Sequence, residues 1–463
     1  MRLDGRDAAT TVAHTFAGDC SYLWPRKGSS IVIPNLGEHF IFYSSHATWA
    51  RRQTSLLKVA FLLIVALGAM LQVCQAQTYH VIYTFTGGQD GAYPSTGLTI
   101  DNAGDIYGTA FGGGANHYGT VFSLHESGGN WTLSPLYAFA AGNDGAGPSA
   151  RLVIGTDGSL YGSTAAGGGG PCVLSNGYRG CGTVYKLRPP GRDPGTGIFS
   201  WSASLLYRFS NTNGSYPQGE LAFDSAGDIY GTTANGGAGF GLIYKLVYSG
   251  SSWTQSILYE PHPNHDGTYP LGGVIFDNSG NLYGIFSQDG LYGYGAVYEL
   301  SPSGSGWAER VLHNFSFNGS DGAYPQGGLI FDNSGNLMGS AVHDPNGGGN
   351  VLELERSGGG WSYNEVYGLS GGIGLGPYDK LTMDSAGNLY GTTYGDGRYG
   401  YGSVFKLTHS RGGWTYTTLH DFAGGSDGSN PMCRLVFDSS GNLYGTAVGG
   451  GAHHDGIIFR ITP

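Results

Sequence analysis

Four charged residues recur at one position of a repeated pattern, and they are the first candidates for chemistry. Each stands three residues after a proline, where other copies of the pattern carry glycine: Arg151, Glu220, Lys380 and Arg434. Asp379 directly precedes Lys380. Repeat proteins often place function where their copies differ, so we predict that these side chains form a polar binding site. Salt bridges that only fill a central channel are the alternative.

Aromatic side chains form the second candidate site. Four of them stand directly before a glycine in equivalent glycine-rich loops, and two more tyrosines lie close by. The six residues are Tyr118, Phe240, Tyr294, Tyr401, Tyr292 and Tyr399. Rings on a polar, glycine-rich rim can stack on sugar rings. The alternative is that they cover neighbouring loops and leave only their polar tips in water.

Acidic residues before glycine raise the question of a bound cation. They recur in six loops, once as asparagine: Asp90, Asp144, Asn213, Asp266, Asp321 and Asp427. Asp-Gly is also a common turn sequence, and the spacing of these residues matches no EF-hand. We therefore predict turn chemistry and no cofactor or metal, with Ca²⁺ at these carboxylates as the alternative.

The chain contains no convincing match to an established catalytic motif. Gly424–Gly428 matches Gly-x-Ser-x-Gly formally, but it lacks the strand-to-helix context of a nucleophile elbow. His343 with Asp344 and the run His453–Asp455 are typical of solvated loops as much as of metal ligands. We therefore predict no catalytic residue.

All these candidates lie within a tandem repeat. The segment Asp-x-x-Gly-(Asn/Asp)-(Leu/Ile)-Tyr-Gly occurs seven times, twice in a looser form, and its last glycines are 52 to 69 residues apart. Those glycines are Gly108, Gly162, Gly231, Gly284, Gly339, Gly391 and Gly445. A fixed period of this size indicates a solenoid, a propeller or an array.

Each repeat contains four short strand-like segments. In the first copy they are Gly97–Asp101, Asp105–Ala110, Gly119–Leu124 and Trp131–Phe139, separated by turns rich in glycine and asparagine. Four antiparallel strands repeated seven times predict an all-β, seven-bladed β-propeller. Alternate loops of such blades emerge on one face, so both candidate sites share a surface, which we call the loop face.

Tryptophan and the chain ends complete the prediction. Trp131, Trp201, Trp253, Trp307, Trp361 and Trp414 each stand six residues before an aromatic residue or histidine. We expect them to be wedges between blades. Tyr79–Phe85 has the pattern of an outer strand, whereas the last repeat stops at Ile457–Thr462 without one. We therefore predict that these two segments pair and close the ring.

Composition and the N-terminal segment limit the partners. Arg51, Arg52 and Lys58 precede an apolar run, so residues 51–76 resemble a signal peptide. We expect residues 1–50 to be a non-structural upstream extension and residues 77–463 to form the propeller. A net charge of -11 disfavours nucleic acid and anionic membranes as partners.

In an exported chain, we expect Cys172 and Cys181 to form a disulfide.

Several motifs resemble those of one family. Asp321–Pro325, Gly328–Asp332, Gly387–Thr393 and Gly402–Leu407 are similar to the repeat signatures of the GloVer tandem-repeat proteins, which are exported bacterial proteins. This resemblance covers residues 79 to 463, implies export and a propeller, and supplies no catalytic residues. The chain ends directly after its last predicted strand, which favours free secretion over a surface anchor.

We predict a secreted or envelope-associated, monomeric, non-enzymatic propeller with no membrane span after signal cleavage. It would bind a glycan or another extracellular component, such as a protein, through its loop face. The alternatives are a propeller enzyme, such as a metal-assisted lactonase or glycan lyase with its site at the central channel, and a structural surface scaffold.

Overall fold

The computed structural model describes residues 77–191, 200–319, 321–345, 347–370 and 376–463. Within them, seven separate antiparallel sheets follow one another along the chain. These are the seven blades of the predicted β-propeller, and we number them from the first complete repeat. The predicted signal peptide and upstream extension lie outside the described residues.

The blades share one strand order from the channel outward. The innermost strands are Thr99–Ile100, Val153–Ile154, Ala222–Phe223, Ile275–Phe276, Ile330–Phe331, Thr382–Met383 and Val436–Phe437. The second strands are Ile106–Ala110, Leu160–Ala166, Ile229–Thr233, Leu282–Phe286, Leu337–His343, Leu389–Thr393 and Leu443–Ala447.

The outer half of each blade is longer. The third strands are Thr120–Ser127, Thr183–Arg188, Leu242–Tyr248, Ala296–Ser303, Gly347–Ser357, Ser403–Ser410 and Ile457–Thr462. The outermost strands are Asn130–Ala138, Ser202–Arg208, Trp253–Tyr259, Gly306–Asn314, Gly360–Ser370, Gly413–Asp421 and Thr78–Thr84. Ala146–Pro148 and Ala323–Pro325 add a short strand to blades 2 and 5, and Gly425–Asp427 is a 3-10 turn.

The conserved pattern of each repeat is explained by one turn. The Asp101 carboxylate accepts the backbone N–H of Ala103 and of Asp105 at 2.9 and 3.0 Å, and the Tyr107 hydroxyl at 3.1 Å. Gly104 has a φ of 89°, which glycine adopts without steric cost. Aspartate, glycine and tyrosine of the repeated segment therefore build the hairpin between the first two strands.

The loops that join successive blades are held by a second set of carboxylates. Asp144 accepts the Tyr137 hydroxyl at 2.9 Å and the Ala140 N–H at 3.1 Å, while Asp427 accepts His420 Nε2 at 3.1 Å. After five of the six tryptophans, the aromatic residue or histidine six positions on thus bonds to the Asp or Asn of the following loop. These contacts agree with the turn chemistry predicted for the loops.

The tryptophans lie between blades, as predicted. The Trp131 ring packs on Tyr444 of blade 7 with centroids 5.9 Å apart, and Trp201 packs on Tyr107 of blade 1 at 6.0 Å. Each hydrophobic cluster of the core joins residues of adjacent blades, so the interior is a ring of inter-blade layers. Sheet-to-sheet packing of apolar side chains therefore stabilises neighbouring blades against each other.

The ring closes as predicted from the chain ends. Thr78–Thr84 pairs antiparallel with Ile457–Thr462, in a register that places Thr78 opposite Thr462 and Thr84 opposite Ile457. The first described strand is therefore the outermost strand of blade 7. This pairing joins the two ends of the repeat array and removes two exposed sheet edges.

The cysteines also lie as expected. Cys172 and Cys181 form a disulfide with a Cα–Cα distance of 5.0 Å, and Cys433 is a free, buried thiol. Among the described residues, no helix has the length and hydropathy that a membrane crossing requires.

Candidate functional site

The loop face is built by two kinds of loop that bond to each other. In blade 1, an antiparallel β-bridge between Ala92 and Gly112 joins the inter-blade loop to the loop between the second and third strands. In blade 4, the β-bridge between Thr268 and Gln288 makes the same connection. Each inter-blade loop then turns inward at its proline to start the innermost strand. The residues after these prolines are thereby brought to the mouth of the channel.

The channel mouth is a polar cavity of about 140 Å³. Its upper lining comes from the residue directly after the loop proline in every blade: Ser95, Ser149, Gln218, Leu271, Gln326, Tyr378 and Met432. Five of these seven side chains can form hydrogen bonds, and they point to recognition of a polar group.

The four charged residues singled out from the sequence meet below this ring. Glu220 Oε1 is 2.6 Å from Arg151 Nη1, and Glu220 Oε2 is 3.1 Å from both Lys380 Nζ and Arg434 Nη1. These residues belong to blades 3, 2, 6 and 7. One carboxylate is therefore the common partner of three cations that come from different sides of the channel.

Electrostatics keeps Glu220 ionised. Burial by itself would raise the pKa of the Glu220 carboxyl, but the charges of Lys380, Arg151 and Arg434 outweigh it and hold the pKa well below its usual range. Lys380 is only 5% exposed along its side chain. The cluster is thus a deep ion network rather than a set of surface pairs.

Asp379 is the second carboxylate of the mouth, and its environment is the opposite of that of Glu220. It accepts the backbone N–H of Lys380 at 2.7 Å and of Arg434 at 2.6 Å, which ties blade 6 to blade 7. Burial raises the pKa of Asp379, and the nearby Glu220 charge raises it further. The mouth therefore combines three basic side chains with one carboxyl whose pKa is lowered and one whose pKa is raised.

Below the cluster the channel changes character. A lower cavity is lined by apolar residues of the innermost strands, including Ala222, Ile275 and Phe331. Lys380 and Arg434 line this cavity as well as the mouth. The ion cluster thus separates a polar upper compartment from an apolar lower one, and polar ligands are expected only above it.

The rim aromatics divide into two groups. Tyr401, Tyr292 and Tyr399 are 46%, 55% and 52% exposed, as a stacking surface requires. Tyr294 instead packs on Phe317 with ring centroids 5.3 Å apart and belongs to the edge of the blade 4–5 core.

The two remaining rim residues, Tyr118 and Phe240, are half-buried. Tyr118 packs against the core between blades 1 and 2. The six aromatics lie on blades 1, 3, 4 and 6, so they surround the mouth and do not form one cluster.

The position of the rim aromatics has a backbone reason. The Tyr401 carbonyl accepts the N–H of Asn430 at 2.7 Å, and the Tyr294 carbonyl accepts that of Tyr324 at 2.8 Å. Each acceptor belongs to one blade and each donor to the loop of the next, so this repeated bond ties neighbouring blades together.

Sequence reasoning missed two tyrosines of the loop face. Tyr93 is 47% exposed and has a φ of 58° before Pro94, a strained conformation for a bulky residue. Tyr178 lies on the disulfide loop and stacks on Phe111 of blade 1 with centroids 5.8 Å apart. The repeated Tyr-Pro dipeptide is a signal for the first residue, but nothing local in the sequence indicates where the disulfide loop folds.

The residues considered for a metal do not come together. Among the described residues, no group of three histidine, cysteine, aspartate or glutamate side chains could hold a metal ion. The Asp266 carboxylate, for example, accepts the Tyr259 hydroxyl and the His262 N–H within its own loop.

Solved structures with similar architecture are other propellers. An ulvan lyase of a polysaccharide lyase family is 14% identical to this chain, with a TM-score of 0.52 over 83% of this chain and 95% of the lyase. A Bacteroides uniformis protein, a candidate 6-phosphogluconolactonase, is 13% identical with a TM-score of 0.46, covering 74% of this chain and 88% of its own. At such identities the likeness concerns the fold alone.

Sequence comparison identifies a family. No curated protein matches the chain. The model of the Gloeobacter/Verrucomicrobia repeat matches residues 66–278, 172–345 and 272–463, which together span the whole propeller. The chain therefore belongs to the Gloeobacter/Verrucomicrobia repeat family.

Proposed function

We propose that this propeller is an exported binding protein that recognises a glycan through its loop face, with the channel mouth as the centre of the site. The observation that carries this proposal is the polar cavity at the mouth, where side chains from all seven blades converge. Convergent polar groups of this kind are what fixes the orientation of a ligand in small-molecule sites.

The chemistry of the mouth suits a sugar better than an apolar ligand. Gln218 and Gln326 can each donate and accept hydrogen bonds, and Ser95 and Ser149 of blades 1 and 2 add hydroxyl groups. A sugar ring presents hydroxyl groups at its edge and C–H groups on its faces. The exposed ring of Tyr401 offers a surface for such a face on the rim.

Export supports an extracellular ligand. The disulfide between Cys172 and Cys181 is of the kind that persists in oxidising compartments. The predicted signal peptide would bring the propeller into such a compartment. We therefore propose secretion or retention at the cell envelope, which fractionation of the producing cells with an antibody against the propeller tests.

Glycan-array binding of the purified full-length chain tests the proposed function. We expect a restricted set of glycans to bind, and the double variant Gln218→Ala/Gln326→Ala to lose that binding. Asn364→Ala, an exposed amide on the outermost strand of blade 5, is the matched control and should bind normally. Unchanged binding by the double variant would place the site elsewhere, and no binding by the wild type would favour a structural scaffold.

The enzyme alternative is tested on the same glycans. Mass spectrometry of each bound glycan after incubation with the protein would reveal shorter products if the chain were a lyase or hydrolase. We expect the glycans to be recovered intact.

A further inference from the structure

The ion cluster at the channel mouth has more hydrogen-bond donors than its carboxylate can accept. A guanidinium carries five N–H donors and an ammonium carries three. Glu220 takes one donor each from Arg151, Lys380 and Arg434, and Arg151 gives a second to the Leu98 carbonyl at 2.8 Å. Since the three cations also line the cavity, donors remain for a ligand.

Charge leads to the same expectation. The cavity lining contains three cationic side chains and two carboxylates. These three cations outnumber the two carboxylates even when both carboxylates are ionised, and each Asp379 oxygen already accepts a backbone N–H group. Positive charge therefore exceeds negative charge in a semi-enclosed space, where electrostatic interactions are stronger than in water.

We propose that the channel mouth is an oxyanion site that takes the carboxylate or sulfate group of an acidic sugar. This inference rests on the proposed glycan binding and names the class of glycan. Arg434 and Lys380 hold the anion by charge-assisted hydrogen bonds. Gln218 can donate to and accept from the adjoining hydroxyl groups, whereas Ser149, whose hydroxyl donates to the Pro217 carbonyl at 2.7 Å, can only accept. A cavity of about 140 Å³ admits one such group with part of its sugar ring.

Removal of the internal carboxylate tests the site directly. Glu220→Gln leaves three cations without their partner, so we expect this variant to unfold at a lower temperature than the wild type. Sodium sulfate or sodium glucuronate should then raise its unfolding temperature more than that of the wild type, because the added anion replaces the lost carboxylate. Sodium chloride at equal ionic strength and neutral glucose are the control solutes.

A cation variant provides the second test and does not depend on the first variant folding. Arg434→Gln should bind glucuronate about tenfold more weakly than the wild type by titration calorimetry, as the loss of a charge-assisted hydrogen bond implies. Arg310→Gln, which removes an exposed arginine 3.9 Å from Glu299, should bind as the wild type does.

The outcomes separate this inference from the proposed function. Equal binding of glucuronate by Arg434→Gln and wild type, or equal stabilisation of Glu220→Gln and wild type by sulfate, overturns the oxyanion site. If the protein binds only neutral glycans on the array, the proposed function stands and the oxyanion site is wrong. If sulfate and glucuronate bind the mouth but no glycan does, the anion site stands and the proposed function is wrong.

Discussion

The Tyr79 ring lies flat on the His420 imidazole, with centroids 3.5 Å apart and planes within 2° of each other. Tyr79 belongs to the closing strand of blade 7, and His420 to the outermost strand of blade 6. The Tyr79 hydroxyl also donates to the Asp427 carbonyl at 2.7 Å. The closing strand is therefore held in two ways. Sheet pairing joins it to blade 7, and the Tyr79 side chain fixes it to blade 6.

Replacement of Tyr79 by alanine should weaken this closure. Loss of a large packed ring and its hydrogen bond should lower the free energy of unfolding by about 2–4 kcal/mol, measured by urea denaturation. Tyr248→Ala is the control: this ring is 54% exposed and contacts its own hairpin through Trp253 and the Gly250 carbonyl, so its loss should lower stability less than that of Tyr79. Equal effects of the two variants would contradict a special role for Tyr79.

Stability should depend on pH through Glu309. Burial raises the pKa of Glu309 to about 7, with a further contribution from the Asp266 charge and opposition from His265. The folded protein then holds the Glu309 carboxyl proton more tightly than the unfolded chain, in which glutamate has a pKa of about 4.3. The contribution of protonated Glu309 to stability is therefore complete below the unfolded-state pKa of about 4.3 and is lost as pH rises through about 7.

Thermal unfolding at several pH values checks this expectation. The unfolding temperature of Glu309→Gln should fall less than that of the wild type between about pH 5 and 8. Glu355→Gln, an exposed glutamate on blade 5, should follow the wild type. A wild-type profile and a Glu309→Gln profile of the same slope would show that Glu309 does not titrate in this range.

Breaking the disulfide should release the loop that carries Tyr178. The double variant Cys172→Ser/Cys181→Ser should lose about 2–3 kcal/mol of unfolding free energy, because the unfolded chain regains the entropy of an open loop. The bond itself is tested by alkylation of the purified protein in urea without reductant. Cys433 should react and serve as the internal control, whereas alkylation of Cys172 and Cys181 would contradict the disulfide.

The two groups of rim aromatics should respond differently to alanine. Tyr401→Ala should weaken glycan binding by about 1 kcal/mol or more and leave the unfolding temperature nearly unchanged, because the ring is exposed. Tyr294→Ala should lower the unfolding temperature, since this ring packs on Phe317 and the core between blades 4 and 5. A large stability loss with Tyr401→Ala, together with unchanged binding, would assign that residue to packing.

Much of the fold is local chemistry repeated along the chain, and for this reason it could be predicted. The turn around Asp101 and Gly104 depends on residues within six positions of each other, and each repeat contains such a turn. The closing strand was recognisable because the last repeat lacks its outermost strand. The predicted innermost strand Gly97–Asp101 was too long, since only Thr99 and Ile100 pair with the second strand of the blade.

The candidate site was predictable only as a set of positions. Sequence alone determined that Arg151, Glu220, Lys380 and Arg434 occupy equivalent places in different repeats. The tertiary structure decided that all three cations reach the one carboxylate, including Lys380, which is 160 residues away in sequence. Such contacts depend on the circumference of the closed ring and on side-chain reach across the channel, and no local pattern in the sequence encodes either distance.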